Sequence, residues 1–223
     1  MTDPGRLELL VCTYEHAMYR TALAILGDCH EAEDAVQDAF VKYLEKAPAF
    51  ASGEHERAWL LRVLINGCRS RLRAPWRRRT TPLLDTYPAA AEEERLALEE
   101  ISALPPKERA VIHLYYYEGY PTAEIAALTG EREGPRPPAG IAERRDVMNG
   151  YRSYFDRVRL SEAQHRRLME ALDRTRRTRP APKARRPSRW AAAVAACGVL
   201  ALAAYPIRHA GGLPRPSAGA AQS

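Results

Sequence analysis

Apolar residues in the first third of the chain recur at intervals of three and four, the spacing of one face of an α-helix. This spacing predicts three helices, at residues 7–26, 29–46 and about 56–73. Gly27 ends the first helix, Asp28 caps the second, and Pro75 breaks the third. Residues 47–56 are expected to form the loop between the second and third helices.

A second helical pattern follows the proline-containing segment 74–91, which has no sustained period and indicates a linker. Three further segments are predicted to be helical: an acidic helix at 92–102, a helix opened by Pro105 and Pro106 and ended by Gly119, and a short helix at 122–128 ended by Gly130. The sequence has no strand-type alternation. A helix followed by a short helix and a glycine turn is the first half of a helix-turn-helix, but other all-α domains contain the same order.

The pattern changes after residue 130. Pro135, Pro137 and Pro138 each cost about 3 kcal/mol inside a helix, so no helix is expected to continue there. The helical period returns at Met148. It predicts a short amphipathic helix at 150–158 and a longer one that begins with the capping box at residues 161–164 and has Leu168, Met169 and Leu172 facing inward.

The C-terminal part then becomes basic at 176–189, and residues 190–207 carry no charge. Eighteen helical residues reach about 27 Å, slightly less than the roughly 30 Å hydrocarbon core of a membrane. This run therefore predicts either a membrane span or a loosely packed C-terminal helix. The basic flank would hold its N-terminal side in the cytoplasm.

Composition narrows the function classes. The 223 residues have a formal net charge of +6 and 8% aromatic residues, which argues against a large β-sandwich. Six arginines and no acid occur within 69–79, whereas the segments on either side are acidic, so one surface for a basic partner and another for phosphates are expected. Four widely spaced cysteines (Cys12, Cys29, Cys68 and Cys197) argue against a disulfide scaffold and against a zinc site.

The beginning of the chain has no pattern of a cleavable signal sequence. The sequence also lacks a metal-ligand motif, a glycine-rich phosphate loop and a nucleophile motif. We therefore expect no catalytic residue, no metal and no cofactor.

Two stretches together carry a family resemblance. Residues 26–44 (LGDCHEAEDAVQDAFVKYL) and 57–73 (RAWLLRVLINGCRSRLR) resemble region 2 of the extracytoplasmic-function sigma factors of the sigma-70 family. Residues 104–130 (LPPKERAVIHLYYYEGYPTAEIAALTG) resemble the start of region 4, in the matching order and separation. The resemblance implies a non-enzymatic sigma factor that binds core RNA polymerase and directs promoter recognition and melting.

The second helix has a polar face opposite its apolar one. We call the residues of this face the α2 polar face: Glu33, Asp34, Gln37 and Asp38. In the resembled family this face docks on the clamp helices of the largest polymerase subunit. From the residues alone, a solvated helix face is the alternative.

The third helix is implied to read and melt the −10 promoter element. Four polar residues fall on one line of this helix and are called the α3 stripe: Arg62, Asn66, Arg69 and Arg73. Asn66 is expected to pair with a base edge, and the arginines are expected to hold phosphates.

Other residues near the third helix are further candidates for DNA contact. The loop 47–56 corresponds to the base-capturing loop of the family, with Phe50 and His55 as candidate contacts. Trp59 is either a melting wedge or a core residue. Three arginines after the third helix are expected to attract the DNA backbone without reading sequence: Arg77, Arg78 and Arg79.

The resemblance fails where region 4 needs its recognition helix, which should begin near Glu131 and run past residue 145. The prolines predict a disrupted helix there, which puts recognition of the −35 promoter element in doubt. In its organisation, the part from residue 148 resembles the N-terminus of a membrane-bound anti-sigma factor. A shifted reading frame near codon 134 explains this order, and so does a true fusion that tethers a sigma domain to the membrane.

The predicted architecture is all-α, with two small helical domains, a linker, and a C-terminal helical tail that contains the candidate transmembrane helix. The predicted segments are a region 2-like domain at 1–74, a linker at 75–91, a region 4-like domain at 92–134, a Pro/Arg-rich segment at 135–147, an anti-sigma-like segment with its basic flank at 148–189, the candidate span at 190–207 and a disordered tail at 208–223.

Three functions are weighed for this architecture. A cytoplasmic, nucleoid-associated sigma factor is preferred to a membrane-tethered, self-inhibited sigma/anti-sigma fusion and to an ordinary helix-turn-helix repressor. The expected partners are core RNA polymerase, promoter DNA and an anti-sigma factor. Inner-membrane attachment is a further expectation only if 190–207 is the membrane span and not a loosely packed helix.

Overall fold

The computed structural model describes residues 4–73, 89–130, 140 and 144–178. These residues belong to one compact unit that ends at Thr178, and they contain α-helices and one π-helical turn but no strand. The all-α prediction is therefore confirmed for this part of the chain. The helices are α1 (Pro4–Leu26), α2 (Cys29–Lys46), α3 (Gly53–Leu72), α4 (Glu92–Ser102), α5 (Pro106–Ile112), α6 (Thr122–Thr129), α7 (Arg145–Arg157) and α8 (Glu162–Thr178).

The first three helices pack on one another around large buried side chains such as Tyr19, Phe40 and Leu64. The bounds of α2 agree with the prediction because Asp28 caps it, with its side chain accepting the Glu31 N–H at 2.8 Å. Helix α3 begins three residues earlier than predicted, because the Ser52 hydroxyl accepts the His55 N–H at 3.3 Å and starts the helix at Gly53. The loop before α3 is correspondingly shorter.

Helices α4 to α6 agree closely with the predicted second helical pattern. Pro106 occupies the first turn of α5, where its missing N–H costs nothing. Helix α5 continues into the π-helical turn at His113–Tyr117, and the chain then turns at Gly119 with φ of +76°. Gly130 ends α6 with φ of +71°, a backbone conformation that favours glycine.

Helices α4 to α6 contact the first three helices through arginines. The Arg109 guanidinium donates to the carbonyl of Ile25 at 2.6 Å, at the C-terminal end of α1. Arg57 of α3 forms an ion pair with Glu118 at 3.0 Å. The region 2-like and region 4-like helices thus touch directly within the compact unit.

Helix α7 packs closely on α4. It begins at Arg145, ahead of the predicted start, and buries Tyr151 and Phe155. At Gly150 an added Cβ would lie 2.5 Å from the carbonyl oxygen of Glu93, so only glycine fits this crossing. Residues 145–178 are therefore part of the same compact unit as the helices before them.

Helix α8 begins with the predicted capping box. The Ser161 N–H donates to the Gln164 side chain at 2.7 Å, and the Gln164 N–H donates to the Ser161 hydroxyl at 3.3 Å. Leu168 and Leu172 are buried as predicted, whereas Met169 is half-buried. This buried side of α8 lies against α2.

Several predictions fall outside the described residues. These include the linker prolines, Arg77, Arg78 and Arg79, residues 131–139 and 141–143 of the disrupted recognition helix, and the segments 190–207 and 208–223. Among the helices that the structure describes, none combines the length and the apolar character that crossing a membrane requires.

Candidate protein- and nucleic-acid-binding surfaces

The α2 polar face lies on the side of α2 opposite the core. Alanine and aromatic side chains such as Ala32, Ala39 and Phe40 are fully buried on the other side. Asp34 is exposed, and the remaining three residues of the face are half-buried. The face therefore presents carboxylate and amide oxygens on a helix whose other side is buried in the core.

Other parts of the chain reach this face. Glu33 accepts hydrogen bonds from Arg167 at 2.9 Å and from Gln164, both on α8. Asp38 accepts from Arg71 of α3 at 2.8 Å. A groove between α2 and α8 is lined by Asp34 and Gln37 together with Glu33, Val36, Leu160, Gln164, Arg167 and Leu168. Helix α8 thus covers one side of the α2 polar face.

The α3 stripe is divided by the structure. Arg62, Asn66 and Arg73 are exposed along α3, whose opposite side is buried. Arg69 is half-buried, and its guanidinium donates to the carbonyl of Thr129 in the last turn of α6. Three of the four residues therefore face solvent, and the fourth joins α3 to α6.

The loop before α3 contributes to an aromatic cluster. The ring of Trp59 lies 5.9 Å from that of Phe50 and 6.1 Å from that of Tyr43, in edge-on arrangements. The Tyr43 hydroxyl donates to Glu56 at 2.5 Å, and burial together with this carboxylate raises the pKa of Tyr43 to about 12. Trp59 is half-buried in this cluster. It therefore packs against other side chains, which was one of the two roles that the sequence allowed, the other being a DNA contact. His55 is exposed at the start of α3.

A buried histidine joins the π-helical turn to α7. His113 is fully buried, and its Nδ1 lies 3.0 Å from the Tyr151 hydroxyl oxygen. Burial lowers the pKa of His113 to about 3, and the positive charge of Arg20 adds to this effect. The ring is therefore neutral in the folded protein at neutral pH. His113 is not recognisable as a functional residue from the sequence, since a lone histidine within an apolar stretch gives no signal of its partner.

A buried carboxylate makes a second link to α7. Glu94 of α4 accepts hydrogen bonds from the Ser153 hydroxyl at 2.7 Å, from the Ala90 N–H at 2.8 Å and from Arg157. Burial raises the pKa of Glu94, but these donors outweigh it, and the net pKa lies below the usual range. The sequence shows Glu94 as one member of an acidic run, and the run does not distinguish it from its exposed neighbours.

One group of metal-ligating side chains occurs in the described part of the chain. The Cys12 sulfur, a Glu15 oxygen and a His165 ring nitrogen lie within 4.8 Å of one another. Such a set could hold a zinc ion with one further ligand. However, His165 Nδ1 already lies 2.6 Å from Glu15 Oε2, and Cys12 is exposed. The pairing of α1 with α8 accounts for this cluster without an ion.

Two protein-family models match the chain, one over the helices that carry the α2 polar face and the α3 stripe and the other over the helices that follow. The family model for Sigma-70 region 2 matches residues 10–78, and the model for Sigma-70, region 4 matches residues 94–134. The chain is 30% identical over 137 residues to the ECF RNA polymerase sigma factor SigM of Mycobacterium tuberculosis, an alignment that covers 59% of this chain and 70% of that protein.

Two further relatives have similar coverage. The ECF RNA polymerase sigma factor SigL of Mycobacterium tuberculosis is 32% identical over 133 residues, which is 54% of this chain and 75% of SigL. The RNA polymerase sigma-H factor of Pseudomonas aeruginosa is 29% identical over 148 residues, which is 56% of this chain and 76% of that factor. The chain belongs to the extracytoplasmic-function sigma factors of the sigma-70 family.

The region 2 match ends at residue 78 and the region 4 match at residue 134, so neither covers the later part of the chain. The resemblance of the later part to an anti-sigma factor therefore finds no support in the comparisons, and neither does attachment to a membrane. An anti-sigma partner stays a prediction from the sequence.

Proposed function

We propose that this RNA polymerase sigma factor binds the clamp helices of the largest core subunit through the α2 polar face and holds promoter DNA along the exposed part of the α3 stripe. The observation that carries the proposal is the placement of both surfaces. They lie on adjacent helices of one compact unit, within the match to region 2, and each helix has a buried face on its other side.

The α2 polar face suits a basic protein partner. Its oxygens are acceptors for arginine and lysine side chains, and Asp34 is exposed at its centre. The buried apolar side of α2 fixes the helix, so that a partner meets a preformed surface.

The exposed residues of the α3 stripe suit a single DNA strand. Arg62 and Arg73 can hold phosphates, while the Asn66 amide between them can pair with a base edge. An unstacked base gains about 1–3 kcal/mol by stacking on an aromatic ring, and the half-buried Phe50 and Trp59 are the candidate rings for this contact.

His55 remains a proposed contact beside these rings. Arg77 and Arg78 lie outside the described residues and are proposed as further phosphate contacts. Arg69 is proposed to contribute to DNA binding only when the hydrogen bond from its guanidinium to the Thr129 carbonyl is broken.

The polymerase contact is tested by charge reversal. We expect Asp34→Lys in the full chain to weaken binding to immobilised core polymerase by roughly tenfold, because an exposed ion pair is lost and a like-charge contact replaces it. Glu8→Lys, an equal charge change at an exposed position of α1, is the matched control and should leave the affinity unchanged. Equal affinities of the two variants would exclude the α2 polar face as the docking site.

The DNA contact is tested in the reconstituted polymerase complex. Removing two phosphate contacts by Arg62→Ala with Arg73→Ala should weaken binding to single-stranded −10 DNA. It should also reduce the slope of log affinity against log salt by about 1.4, since each contact contributes about 0.7 on a single strand. Arg177→Ala, which removes an exposed arginine of α8, is the control. An unchanged salt slope would show that these arginines do not touch phosphates.

A further inference from the structure

The segment from Val158 to the end of α8 docks on the region 2 helices at several points. The Leu160 N–H donates to His16 Nδ1 at 3.2 Å, and His165 Nδ1 lies 2.6 Å from Glu15 Oε2, both on α1. On α2, Glu33 receives the side chains of Arg167 and Gln164. A segment at the far end of the described chain thus contacts α1 and α2 with specific geometry.

Apolar burial supports these polar contacts. Val158 and Leu172 are 1% and 0% exposed, and Leu160 and Leu168 are also buried. The remainder of α8 is strongly polar, with arginines along its exposed side, so this short apolar edge and the polar bonds hold the helix in place. Because the apolar contact is this narrow, α8 can dissociate from α1 and α2 without unfolding the core formed by α1 to α3.

The position of α8 conflicts with the use of α2 by another protein. Glu33 is one of the four residues of the α2 polar face, and its carboxylate is already engaged by Arg167. Asp34 and Gln37 line the groove between the two helices, so a partner helix on this face would overlap α8. Arg167 of α8 already offers to Glu33 the basic donor that the proposed partner of this face would have to supply.

We propose that α8 is a displaceable cover of the α2 polar face and that core polymerase must remove it to bind. The inference rests on the proposed docking of polymerase on this face. The apparent affinity of a protein whose binding-competent form is only partly populated is reduced by that fraction. Weakening the cover therefore strengthens polymerase binding, although the change lies outside the polymerase contact.

Charge reversal on the cover tests the proposal in the full chain. Arg167→Glu places a carboxylate beside Glu33 and should raise the affinity for immobilised core polymerase by roughly fivefold, the effect of losing one partly exposed ion pair when the covered form predominates. Arg166→Glu makes the same charge change at the exposed neighbouring position and should leave the affinity unchanged. Equal affinities for Arg167→Glu and wild type, or equal gains in both variants, would overturn the cover.

Hydrogen exchange of the unmodified chain gives an independent test. An isolated helix of 17 residues is marginal in water, so the amides of α8 should exchange faster once the helix leaves α2. Addition of core polymerase should therefore speed exchange within Glu162–Thr178, while α1 stays protected. Unchanged or slower exchange in α8 on binding would show that polymerase does not displace it.

The Asp34→Lys variant separates the two proposals. If that variant binds polymerase normally, the proposed docking face is wrong and the cover fails with it. If that variant binds weakly while Arg167→Glu behaves as wild type, the docking face stands and the cover alone is wrong.

Discussion

The neutral His113 makes a prediction about stability and pH. Its folded pKa of about 3 lies below the ordinary value of 6.5, because burial disfavours the charged ring. As the pH falls, the unfolded chain takes up this proton first. The contribution of His113 to stability is therefore fully present above pH 6.5 and is lost progressively as the pH falls from 6.5 towards 3.

The size of the effect follows from the two pKa values. Each pH unit well below 6.5 and above 3 costs about 1.4 kcal/mol, and the interval from pH 6.5 to 5.5 costs about 1 kcal/mol, because the unfolded histidine titrates within it. Most carboxylates in unfolded chains titrate below this interval. Burial also lowers the pKa of His16, so comparison of wild type with a His113 variant is needed to isolate the contribution of His113.

Urea unfolding at pH 6.5 and 5.5 measures this contribution. In His113→Gln the loss of unfolding free energy between the two pH values should be about 1 kcal/mol smaller than in wild type, whatever the stability of the variant at pH 6.5. The same dependence in His113→Gln and wild type, or an NMR titration that shows the His113 ring protonated at pH 5, would refute the argument.

Two further predictions concern packing and capping. Gly150→Ala should lower the free energy of unfolding measured in urea by about 1–3 kcal/mol, because the added Cβ meets the Glu93 carbonyl. Gly67→Ala, at a position of α3 with open space around it, is the control and should not destabilise the protein. Equal effects of the two substitutions would contradict the close crossing of α7 and α4. Asp28→Ala should lower the free energy of unfolding, measured by thermal unfolding, by about 1 kcal/mol, because the Glu31 N–H loses its acceptor. Asp28→Asn keeps a side-chain acceptor and should retain most of the stability. Equal losses in the two variants would show that Asp28 does not stabilise α2 as a cap.

Elements set by local chemistry were predictable from the sequence. Asp28 fixed the start of α2, and Gly119 and Gly130 marked the chain turns after α5 and α6, because each of these roles needs one residue type at one position. The capping box at Ser161 likewise located α8. The same local rules missed the start of α3, where Ser52 caps the helix ahead of the apolar period.

Contacts between distant segments were not predictable in this way. Nothing near Arg167 in the sequence indicates Glu33 as its partner, and the pairing of His113 with Tyr151 has no motif. The sequence also treated the segment after residue 147 as a separate tail. Residues 148–178 of this segment belong to the compact unit, because Gly150 allows α7 to approach α4 and because Ser153 and Arg157 bind the buried Glu94.

The α3 stripe shows what a helical period can and cannot establish about a site. The helical period places Arg62, Asn66 and Arg69 on one line of α3, with Arg73 as the residue that caps its C-terminal end. Whether a side chain on that line is available for DNA depends on its neighbours. The Arg69 guanidinium, for example, donates a hydrogen bond to the Thr129 carbonyl of α6. The α2 polar face behaves in the same way, because α8 engages Glu33. Both surfaces are bordered by helices from elsewhere in the same chain, so the proposed ligands of each surface would have to compete with these intrachain contacts.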